Sequence, residues 1–480
     1  MMPAPASRFV SRRAALKNTA CGFGMLAASG LAAEAARAES GRANPLQARQ
    51  PHHAPRAKRV IFLFMQGGVS HVDSFDYKPL LEKRDGESLG FDDARALAKT
   101  GQRGVAKKIM KSLWKYSRYG QSGLWASDLF PEMARHVDKM CFLHSMHTDG
   151  VAHGPATLFL HCGATSLIRP SVGSWITYGL GTENQSLPGF VSISPSAGNG
   201  GPRNYGNAFL PAVFQGTALG RAGRPAGEAM IQDLVNPSRT YEQQQQQFDL
   251  ISALNKEQHA ARGGGSELDA VINSYELAWR MQGAAPEVID TSSESQETRD
   301  LYGIGQPKTD NFGRQCLMAR RLCEAGVRYI QVTYGDNGAN PAWDQHGNMP
   351  KHKEHALAVD QPIAGLLQDL DQRGLLEDTI VWWGGEFGRT PYAQGSDGRD
   401  HNPGGFTVWL AGGGVKAGHS HGATDEFGHK AVEGKLHMHD LHATILHLLG
   451  LDHKRLTYRY AGRDFRLTDV HGRVADEIIA

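Results

Sequence analysis

The hydrophobic positions of this chain fall into short apolar runs separated by longer amphipathic stretches. The first run, RVIFLFM at 59–65, is apolar after its first residue and is followed by Gly67-Gly68. Such a run is typical of a strand buried on both faces of a sheet. Five similar runs follow: MCFLHSM (140–146), FVSIS (190–194), VRYIQVTYG (327–335), TIVWWGG (379–385) and FTVWLAGG (406–413). The pattern predicts one large, buried sheet.

Amphipathic stretches with helical spacing precede two of these runs. Residues 309–326 and 351–374 carry apolar side chains at helical intervals, and each stretch ends at a glycine. A third helix is predicted at 439–450. Helix, glycine, short turn and apolar strand in alternation predict an α/β fold, with a largely parallel sheet flanked by helices on both faces.

The region 196–308 departs from this alternation. It begins rich in glycine, asparagine and proline, then becomes polar and helical through YEQQQQQFDLISALNKEQ and ELDAVINSYELAWRMQ. We expect a helical insertion packed on the side of the sheet, with the glutamine run as a solvated helix face.

The amino-terminal residues are set apart from the predicted domain. Arg12-Arg13 precede a weakly apolar run, and Ala36-Arg37-Ala38 offers a small-x-small cleavage site. This resembles a bacterial twin-arginine signal peptide over 1–38, followed by a polar linker at 39–57 and a single domain at 58–478. We expect export by the twin-arginine machinery to the periplasm or the exterior. The apolar run is too short and weak for stable membrane insertion after cleavage.

The composition gives no sign of a nucleic-acid partner and favours metal chemistry. The 480 residues are 40% hydrophobic and 21% charged, and a net charge of +2 gives no reason to expect a nucleic-acid partner. Of the 22 histidines, 13 lie in the last 140 residues, which favours metal chemistry in that half. The cysteines outside the predicted signal form no CxxC motif and are expected to be buried free thiols: Cys141, Cys162, Cys316 and Cys323.

Carboxylates and imidazoles gather at the ends of four predicted strands. Active sites of parallel α/β sheets form beyond the carboxyl ends of strands, so these side chains are site candidates. They are Asp73 and Asp76 after the first strand, Asp344 and His346 after 327–335, Glu386 and Arg389 after 379–385, and Asp400 and His401 before 406–413. Each has a structural alternative: an acidic loop residue can cap a helix, Arg389 can pair with Glu386, and Asp400 with Arg399.

Mixed aspartate, glutamate and histidine ligands predict one or two divalent ions. Zn²⁺ and Mn²⁺ accept such a set, and Ca²⁺ does so when oxygen ligands dominate. Asp344 and His346 are close enough in sequence to reach one ion from a single loop. Two ions would polarise an ester oxygen and deprotonate a water. Arg389 could contact an anionic group through both guanidinium nitrogens.

The site motifs resemble a known bacterial family. GGVSHVDSFDYKP, WDQHGN, GGEFGRTP, GRDHNPGG and the tail MHDLHATILHLLGLDHKRLTYRYAGRDFRLTDVHG are similar to the domain of unknown function family 1501, whose members are exported and often labelled sulfatase-like. The resemblance covers 58–478 and implies an alkaline-phosphatase-like core within the alkaline phosphatase and sulfatase superfamily. It implies that Asp344 and His346 form the metal pair, that Glu386 is the later acidic ligand, and that His401 is the last histidine.

Two departures from the superfamily pattern alter the implied chemistry. The first strand ends at Met65-Gln66 where the superfamily has an aspartate, so either Asp73 or Asp76 takes that metal position or the position is weak. In HGPATLFLHCG at 153–163, His153 stands where sulfatases keep the cysteine that becomes formylglycine. That mechanism is therefore excluded. His153 is a covalent nucleophile or, as we prefer, a metal ligand or a donor to an anion.

Three functions remain open at this point. The first is an exported metal-dependent hydrolase of sulfate or phosphate esters, acting without formylglycine on a small-molecule or saccharide ester. Its predicted catalytic residues are His153, Arg389 and Asp400, and its predicted metal ligands are Asp73, Asp76, Asp344, His346, Glu386 and His401. The second is a catalytically degenerate sulfatase-like protein that binds metal and an extracellular polysaccharide or surface ligand. The third, a purely structural protein, leaves the carboxyl-terminal histidines unexplained.

Overall fold

The structure is a computed structural model that describes residues 45–480, apart from 92–106, 230, 232–237, 263–265 and 339. The strands are β1 (Arg59–Met65), β2 (Ser88–Leu89), β3 (Lys107–Lys108), β4 (Tyr116–Tyr119), β5 (Leu124–Ser127), β6 (Met140–His147), β7 (Phe190–Ile193), β8 (Thr217–Leu219), β9 (Tyr329–Tyr334), β10 (Thr379–Gly384), β11 (Gly388–Gln394), β12 (Gly398–Asn402), β13 (Phe406–Ala411), β14 (His419–His421), β15 (Ala423–Thr424), β16 (Ala431–Glu433), β17 (Leu436–His437), β18 (Tyr458–Tyr460) and β19 (Arg463–Phe465). The α-helices are α1 (Pro79–Lys83), α2 (Pro131–Ala134), α3 (His153–Cys162), α4 (Val172–Leu180), α5 (Tyr241–Arg262), α6 (Ser266–Ile289), α7 (Gln296–Leu301), α8 (Asp310–Glu324), α9 (His352–Gln372) and α10 (Met438–Leu448).

The described residues form a nine-stranded central sheet with the order β14-β6-β13-β10-β1-β9-β7-β8, and β17 also pairs with β6. β1 lies between β10 and β9 and is parallel to both, and β7 and β8 continue the parallel arrangement. β13 is antiparallel to both of its neighbours, β10 and β6. All six apolar runs are strands of this sheet, which confirms the predicted largely parallel α/β architecture.

Helices cover both faces of the sheet, as predicted. Phe64 and Tyr334 occupy successive register rows of β1 and β9, so their side chains point to opposite faces. His161 of α3 packs edge-on against Phe64, with ring centroids 4.8 Å apart. Phe312 of α8 packs edge-on against Tyr334 at 5.4 Å. The helix α3 therefore lies on one face and α8 on the other.

The strand ends next to the predicted site residues lie at one edge of the sheet. β1, β6, β7, β8, β9 and β10 share one direction and end at this edge, whereas β13 runs the opposite way and begins there. We term it the carboxyl edge. The antiparallel direction of β13 explains why the predicted candidates that precede this strand lie beside those that follow β9 and β10.

The region 196–308 contributes more to the core than an insertion would. β8 lies inside this region, yet it pairs in parallel with β7 and forms the last strand of the central sheet. The helical part, α5 to α7, then follows, and α6 packs against α8. The insertion outside the sheet therefore begins after β8 rather than at residue 196.

The described part of the predicted linker 39–57 is packed on the domain. Leu46 and Ala57 are buried, and the Ala57 N–H donates to the Leu448 carbonyl at 2.9 Å. These apolar side chains have a surface to bury against, so the segment from Leu46 onward is part of the fold. The predicted signal peptide, 1–38, lies outside the described residues.

Two further expectations concern membrane spans and cysteines. Within the described ranges, no helix combines the length and apolar character needed to cross a bilayer. The cysteines at 141, 162, 316 and 323 are buried and free in this part of the chain, as predicted.

Gly67, directly after β1, offers a test of how tightly the carboxyl edge is packed. Its φ is +116°, and a Cβ there would lie 2.7 Å from the Asp344 backbone nitrogen. We expect Gly67→Ala to lower the free energy of unfolding by about 3 kcal/mol or more, because strain and a backbone clash add. Gly374→Ala is the control, since its φ is +68° with no atom within 4 Å of the added Cβ. It should cost roughly 1–2 kcal/mol. Equal losses in urea denaturation would contradict the close approach.

Candidate metal centre

Four of the predicted site residues meet at the carboxyl edge. One ligand atom from each of His153, Asp344, His346 and His401 lies within 4.8 Å of the others. His153 is the first residue of α3, the aspartate and His346 follow β9, and His401 lies in β12. Three distant parts of the chain thus build one group of side chains, which we term the histidine–aspartate cluster.

The two segments after β9 and β10 are fixed by backbone pairing. The Trp343 N–H donates to the carbonyl of Gln66 at 3.2 Å, which holds the loop after β9 against the end of β1. β11 and β12 form an antiparallel hairpin in which Arg389 is opposite His401. This hairpin places His401 Nε2 3.3 Å from Asp344 Oδ1.

Each imidazole of the cluster has an oxygen acceptor at its Nδ1. The acceptors are Glu386 Oε1 for His153 (2.6 Å), the side-chain oxygen of Gln394 for His346, and the Val151 carbonyl for His401 (3.1 Å). Carboxylate and carbonyl oxygens only accept, so each Nδ1 must donate its proton. In the neutral rings, every Nε2 then carries a lone pair. This is the arrangement in which metal-binding histidines are normally held.

The three Nε2 atoms and the Asp344 carboxylate face one another. His346 Nε2 is 3.0 Å from both His401 Nε2 and Asp344 Oδ1. His153 Nε2 is 3.2 Å from Asp344 Oδ2. Ligands of a tetrahedral zinc ion with 2.0–2.1 Å bonds are roughly 3.3 Å apart. The contacts above are close to this value and the whole set lies within 4.8 Å, so the four side chains could hold a single cation.

The charge of Asp344 is stabilised from several sides. Its side chain is 2% exposed, and Arg389 Nη2 lies 2.8 Å from Oδ1. Burial alone would raise the pKa of this carboxyl, but hydrogen bonds from the three histidines, when their Nε2 atoms are protonated, and the charge of Arg389 hold the pKa well below its usual range. Asp344 is therefore an anion near neutral pH.

Glu386, predicted as a metal ligand, lies behind the cluster instead. Its two oxygens each lie 3.1 Å from the Gly67 N–H, and Oε1 also accepts from His153 Nδ1. The carboxylate is fully buried and contacts the imidazole ring of His153 at Nδ1, not at Nε2. Its position orients a ligand, and it does not belong to the four residues that converge.

Asp73 and Asp76 are likewise separate from the cluster. Asp73 pairs with Arg399 at 2.7 Å and accepts from Ser70, whereas Asp76 lies 3.0 Å from Lys78 Nζ. Each carboxylate is neutralised by a cation beside it, and both are buried. We therefore leave both out of the proposed metal site.

Arg389 and Asp400, which the sequence predicts as catalytic residues, each contact members of the cluster. Arg389 is fully buried and donates to the carbonyls of Gly67 and Gly68 as well as to Asp344, so its guanidinium is engaged inside the protein. Asp400 Oδ1 accepts from the His401 N–H at 2.8 Å and lies 3.6 Å from His346 Nδ1. Both side chains therefore contact the cluster without belonging to the four residues that converge.

The cluster is more exposed to solvent at His346 than at its other members. The side chain of His346 is 33% exposed, whereas that of His153 is 9% exposed. Phe387 covers the inner side, with ring centroids 4.4 Å from His401 and 5.1 Å from His153. A ligand from solvent therefore approaches beside His346.

Sequence reasoning missed Gln394, the acceptor that fixes His346. The residue lies at the end of β11, opposite Gly398 in the hairpin. The signal was available in part, because GSDG between two short runs predicts a turn. A predicted hairpin places Gln394 near the site, but it does not predict the contact between Gln394 and His346.

Comparisons with known proteins agree with the resemblance of the motifs. A family model described as "Protein of unknown function (DUF1501)" matches residues 57–479. The PsFucS1 sulfatase from Pseudoalteromonas sp. matches at 13% identity and a TM-score of 0.36, over 82% of this chain and 68% of that one. A protein of the alkaline phosphatase superfamily from Vibrio parahaemolyticus matches at 10% identity and a TM-score of 0.34, over 85% and 70%. No curated protein matches the chain. The structural similarities are too weak to transfer an activity.

The cluster predicts one zinc ion per chain. We expect His346→Ala to weaken zinc binding by at least about 100-fold, because a direct ligand is lost. His419→Ala is a matched control, since His419 is also half-buried but lies in the edge strand β14. Elemental analysis and competition with a chelating dye would measure both. Equal zinc content and affinity in the two variants would exclude this site.

Zinc stabilisation should grow with pH. Without a metal, burial lowers the pKa of His153, but hydrogen bonds to Asp344 and Glu386 outweigh it and raise the pKa above the usual value. The protonated ring then stabilises the metal-free fold below about pH 6.5, and this contribution is lost as pH rises through the raised pKa. Zinc needs the neutral ring.

The Tm difference between zinc-loaded and chelator-treated protein should therefore increase from about pH 6 to about pH 8.5. His153→Gln should reduce this dependence. A difference that stays constant with pH would contradict competition between the proton and the ion.

Proposed function

This chain belongs to the DUF1501 family, and we propose that it is a hydrolase of sulfate or phosphate esters that depends on one divalent ion. The observation that carries the proposal is the convergence of three Nε2 lone pairs on the Asp344 carboxylate, with every Nδ1 fixed by an oxygen. The ester class rests on the resemblance of the site motifs to the sulfatase and alkaline phosphatase superfamily.

The donor set favours zinc. Three imidazole nitrogens and one carboxylate suit Zn²⁺, whereas Ca²⁺ requires six to eight oxygen ligands. Manganese accepts such a set less readily than zinc. Asp73, Asp76 and Glu386 are all engaged elsewhere, so within the described ranges a second set of ligands is not assembled beside the first.

A divalent ion at the cluster would polarise an ester oxygen and lower the pKa of a water. The residues of the chain supply position and electrostatics. Glu386 holds the ring of His153, and Arg389 holds the carboxylate of Asp344. The helix α3 begins at His153, so its partial positive charge lies at the cluster and favours an anionic ester there. The substrate enters beside the partly exposed His346.

The proposal assigns no covalent nucleophile. The Nδ1 proton of His153 is donated to Glu386, and its Nε2 points at the cluster. If Nε2 binds the ion, His153 has no free nitrogen with which to attack the ester. Water is then the attacking group, which is consistent with the absence of the cysteine that sulfatases convert to formylglycine.

We also propose that the protein acts outside the cytoplasm. Arg12-Arg13 and the Ala36-Arg37-Ala38 cleavage site support twin-arginine export to the periplasm or beyond. This pathway transports folded proteins, so the ion would be bound before export. A saccharide or small-molecule ester in that compartment is the substrate class we infer.

One observation favours the second candidate, a metal-binding protein without turnover. Catalytic zinc sites usually have three protein ligands and an open position, whereas four protein ligands complete a tetrahedron. The cluster offers four. Turnover would then need room for a water or ester beside these four residues, and the partly exposed side of His346 would offer it.

Hydrolysis can be tested with 4-nitrophenyl phosphate, bis(4-nitrophenyl) phosphate and 4-nitrophenyl sulfate. We expect zinc-loaded protein to turn over at least one, and Asp344→Asn to abolish turnover. Glu386→Gln should lower zinc affinity and kcat/KM at limiting zinc by about 10–100-fold, because an orienting carboxylate is lost. Excess zinc should restore part of this loss, which a folding defect would not allow.

Glu433→Gln serves as the control, because Glu433 is exposed in β16. Stoichiometric zinc with no turnover of any ester would reject the hydrolase and support the metal-binding alternative.

A further inference from the structure

A seam of polar side chains is buried between α3 and the central sheet. Its six members are Gln66, Thr157, His161, Ser192, Gln331 and Thr333, and none is more than 3% exposed. Each carries at least one side-chain polar atom without a hydrogen-bond partner among the described residues: Gln66 Nε2 and Oε1, Thr157 Oγ1, His161 Nε2, Ser192 Oγ, Gln331 Oε1 and Thr333 Oγ1. We term this group the buried seam.

The strand register places the sheet members of the seam on one face. Ser192 of β7 is opposite Gln331 of β9, and Gln331 is opposite Phe62 of β1. Thr333, two residues further along β9, lies on the same face. These three polar side chains are therefore neighbours on the same face of the sheet as Phe62 and Phe64.

Gln66 extends the same face beyond the end of β1. It follows Phe62 and Phe64 at two-residue spacing, and its Oε1 is the atom that a Cβ on Gly335 would meet, at 2.2 Å. The side chain therefore lies over the end of β9, next to Thr333 along that strand.

The helix α3 supplies the opposite wall. The ring of His161 packs 5.7 Å from Phe62 and 4.8 Å from Phe64, so this side of the helix faces the sheet. Thr157 precedes His161 by one helical turn and lies on the same side. His161 Nδ1 is bonded to the Thr157 carbonyl at 2.8 Å, and burial lowers the pKa of His161 to about 4. The ring is therefore neutral, and its Nε2 is an acceptor.

Buried polar atoms in native proteins are almost always hydrogen-bonded. Each unpaired atom costs stability, and the combined cost of this many would rival the whole stability of a domain. Ordered water is the partner that such atoms commonly have in native proteins. The amide nitrogen of Gln66 only donates and His161 Nε2 only accepts, so a cation cannot satisfy the set, whereas water can do both.

We propose that the buried seam binds a chain of ordered water molecules that bridges α3 to the central sheet and positions the metal centre. Gln66 directly precedes Gly67, whose N–H holds Glu386, and Glu386 holds His153. Thr157 lies one turn after His153 on α3. Waters between Gln66 and Thr157 would thus connect the two structures that position His153: the turn after β1, which holds Glu386, and the helix α3.

The first experiment measures long-lived internal water in metal-free protein by ¹⁷O and ²H magnetic relaxation dispersion. We expect a dispersion amplitude from buried waters that decreases in the double variant Thr157→Val and Thr333→Val. An amplitude that is the same in both proteins would overturn the proposal. Because metal and substrate are absent, this result does not depend on whether the protein hydrolyses esters.

The second experiment compares stability and zinc affinity in single variants. Thr177→Val is the control, since Thr177 is also buried but its hydroxyl donates to the Gly173 carbonyl at 2.8 Å in α4. All three valine variants should lower Tm, because each loses a hydrogen bond. Thr157→Val should in addition weaken zinc binding several-fold, whereas Thr177→Val should not.

A rise in Tm for Thr157→Val and Thr333→Val would show that the seam is dry, and the proposal would fail. Unchanged zinc affinity in Thr157→Val would reject the positioning role. The proposed hydrolase fails by a different result, the absence of turnover in zinc-loaded protein.

Discussion

The site depends on one constraint: three imidazole rings must each donate a proton from Nδ1 so that three Nε2 lone pairs point at one place. The acceptors that impose this come from β11, from the loop before α3 and from the turn after β10. Without a cation, lone pairs and the Asp344 carboxylate would face each other at 3.0–3.3 Å. These electron-rich groups repel one another, so a fold that holds them together needs a positive charge between them. That charge can be a proton or a metal ion.

Two buried arginines make this concentration of carboxylates possible. Arg389 pairs with Asp344, and Arg399 pairs with Asp73. Both arginines are fully buried, and both come from the β11–β12 hairpin that also carries His401. Removing one partner would leave an uncompensated buried charge, which is costlier than losing the pair. The hairpin therefore couples the charge balance of the interior to the geometry of the histidine–aspartate cluster.

The fold could be predicted from the sequence because its strands are buried on both faces. Continuous apolar runs mark such strands clearly, and all six runs are strands of the central sheet. β8 escaped detection because its three residues, TAL, carry no pattern within a glycine- and proline-rich region. Its place in the sheet follows from pairing with β7, a tertiary contact that local sequence does not encode.

The candidate site was predictable in part for the same reason. Asp344, His346 and His401 flank strands that meet at the carboxyl edge, so their positions follow from the sheet. The roles of Glu386 and Asp73 do not, because a carboxylate after a strand has the same local signature whether it faces an ion, a backbone N–H or an arginine. Glu386 is bonded to Gly67 across 319 residues of sequence, and only the assembled structure decides that contact. His153 shows the converse: its motif identified the position, while its contacts place it in a group of side chains that could hold a metal ion. If a histidine occupies the position of the covalent nucleophile and also binds the ion, water must be the group that attacks the ester. Access beside the partly exposed His346 then decides whether water and ester can both reach the ion.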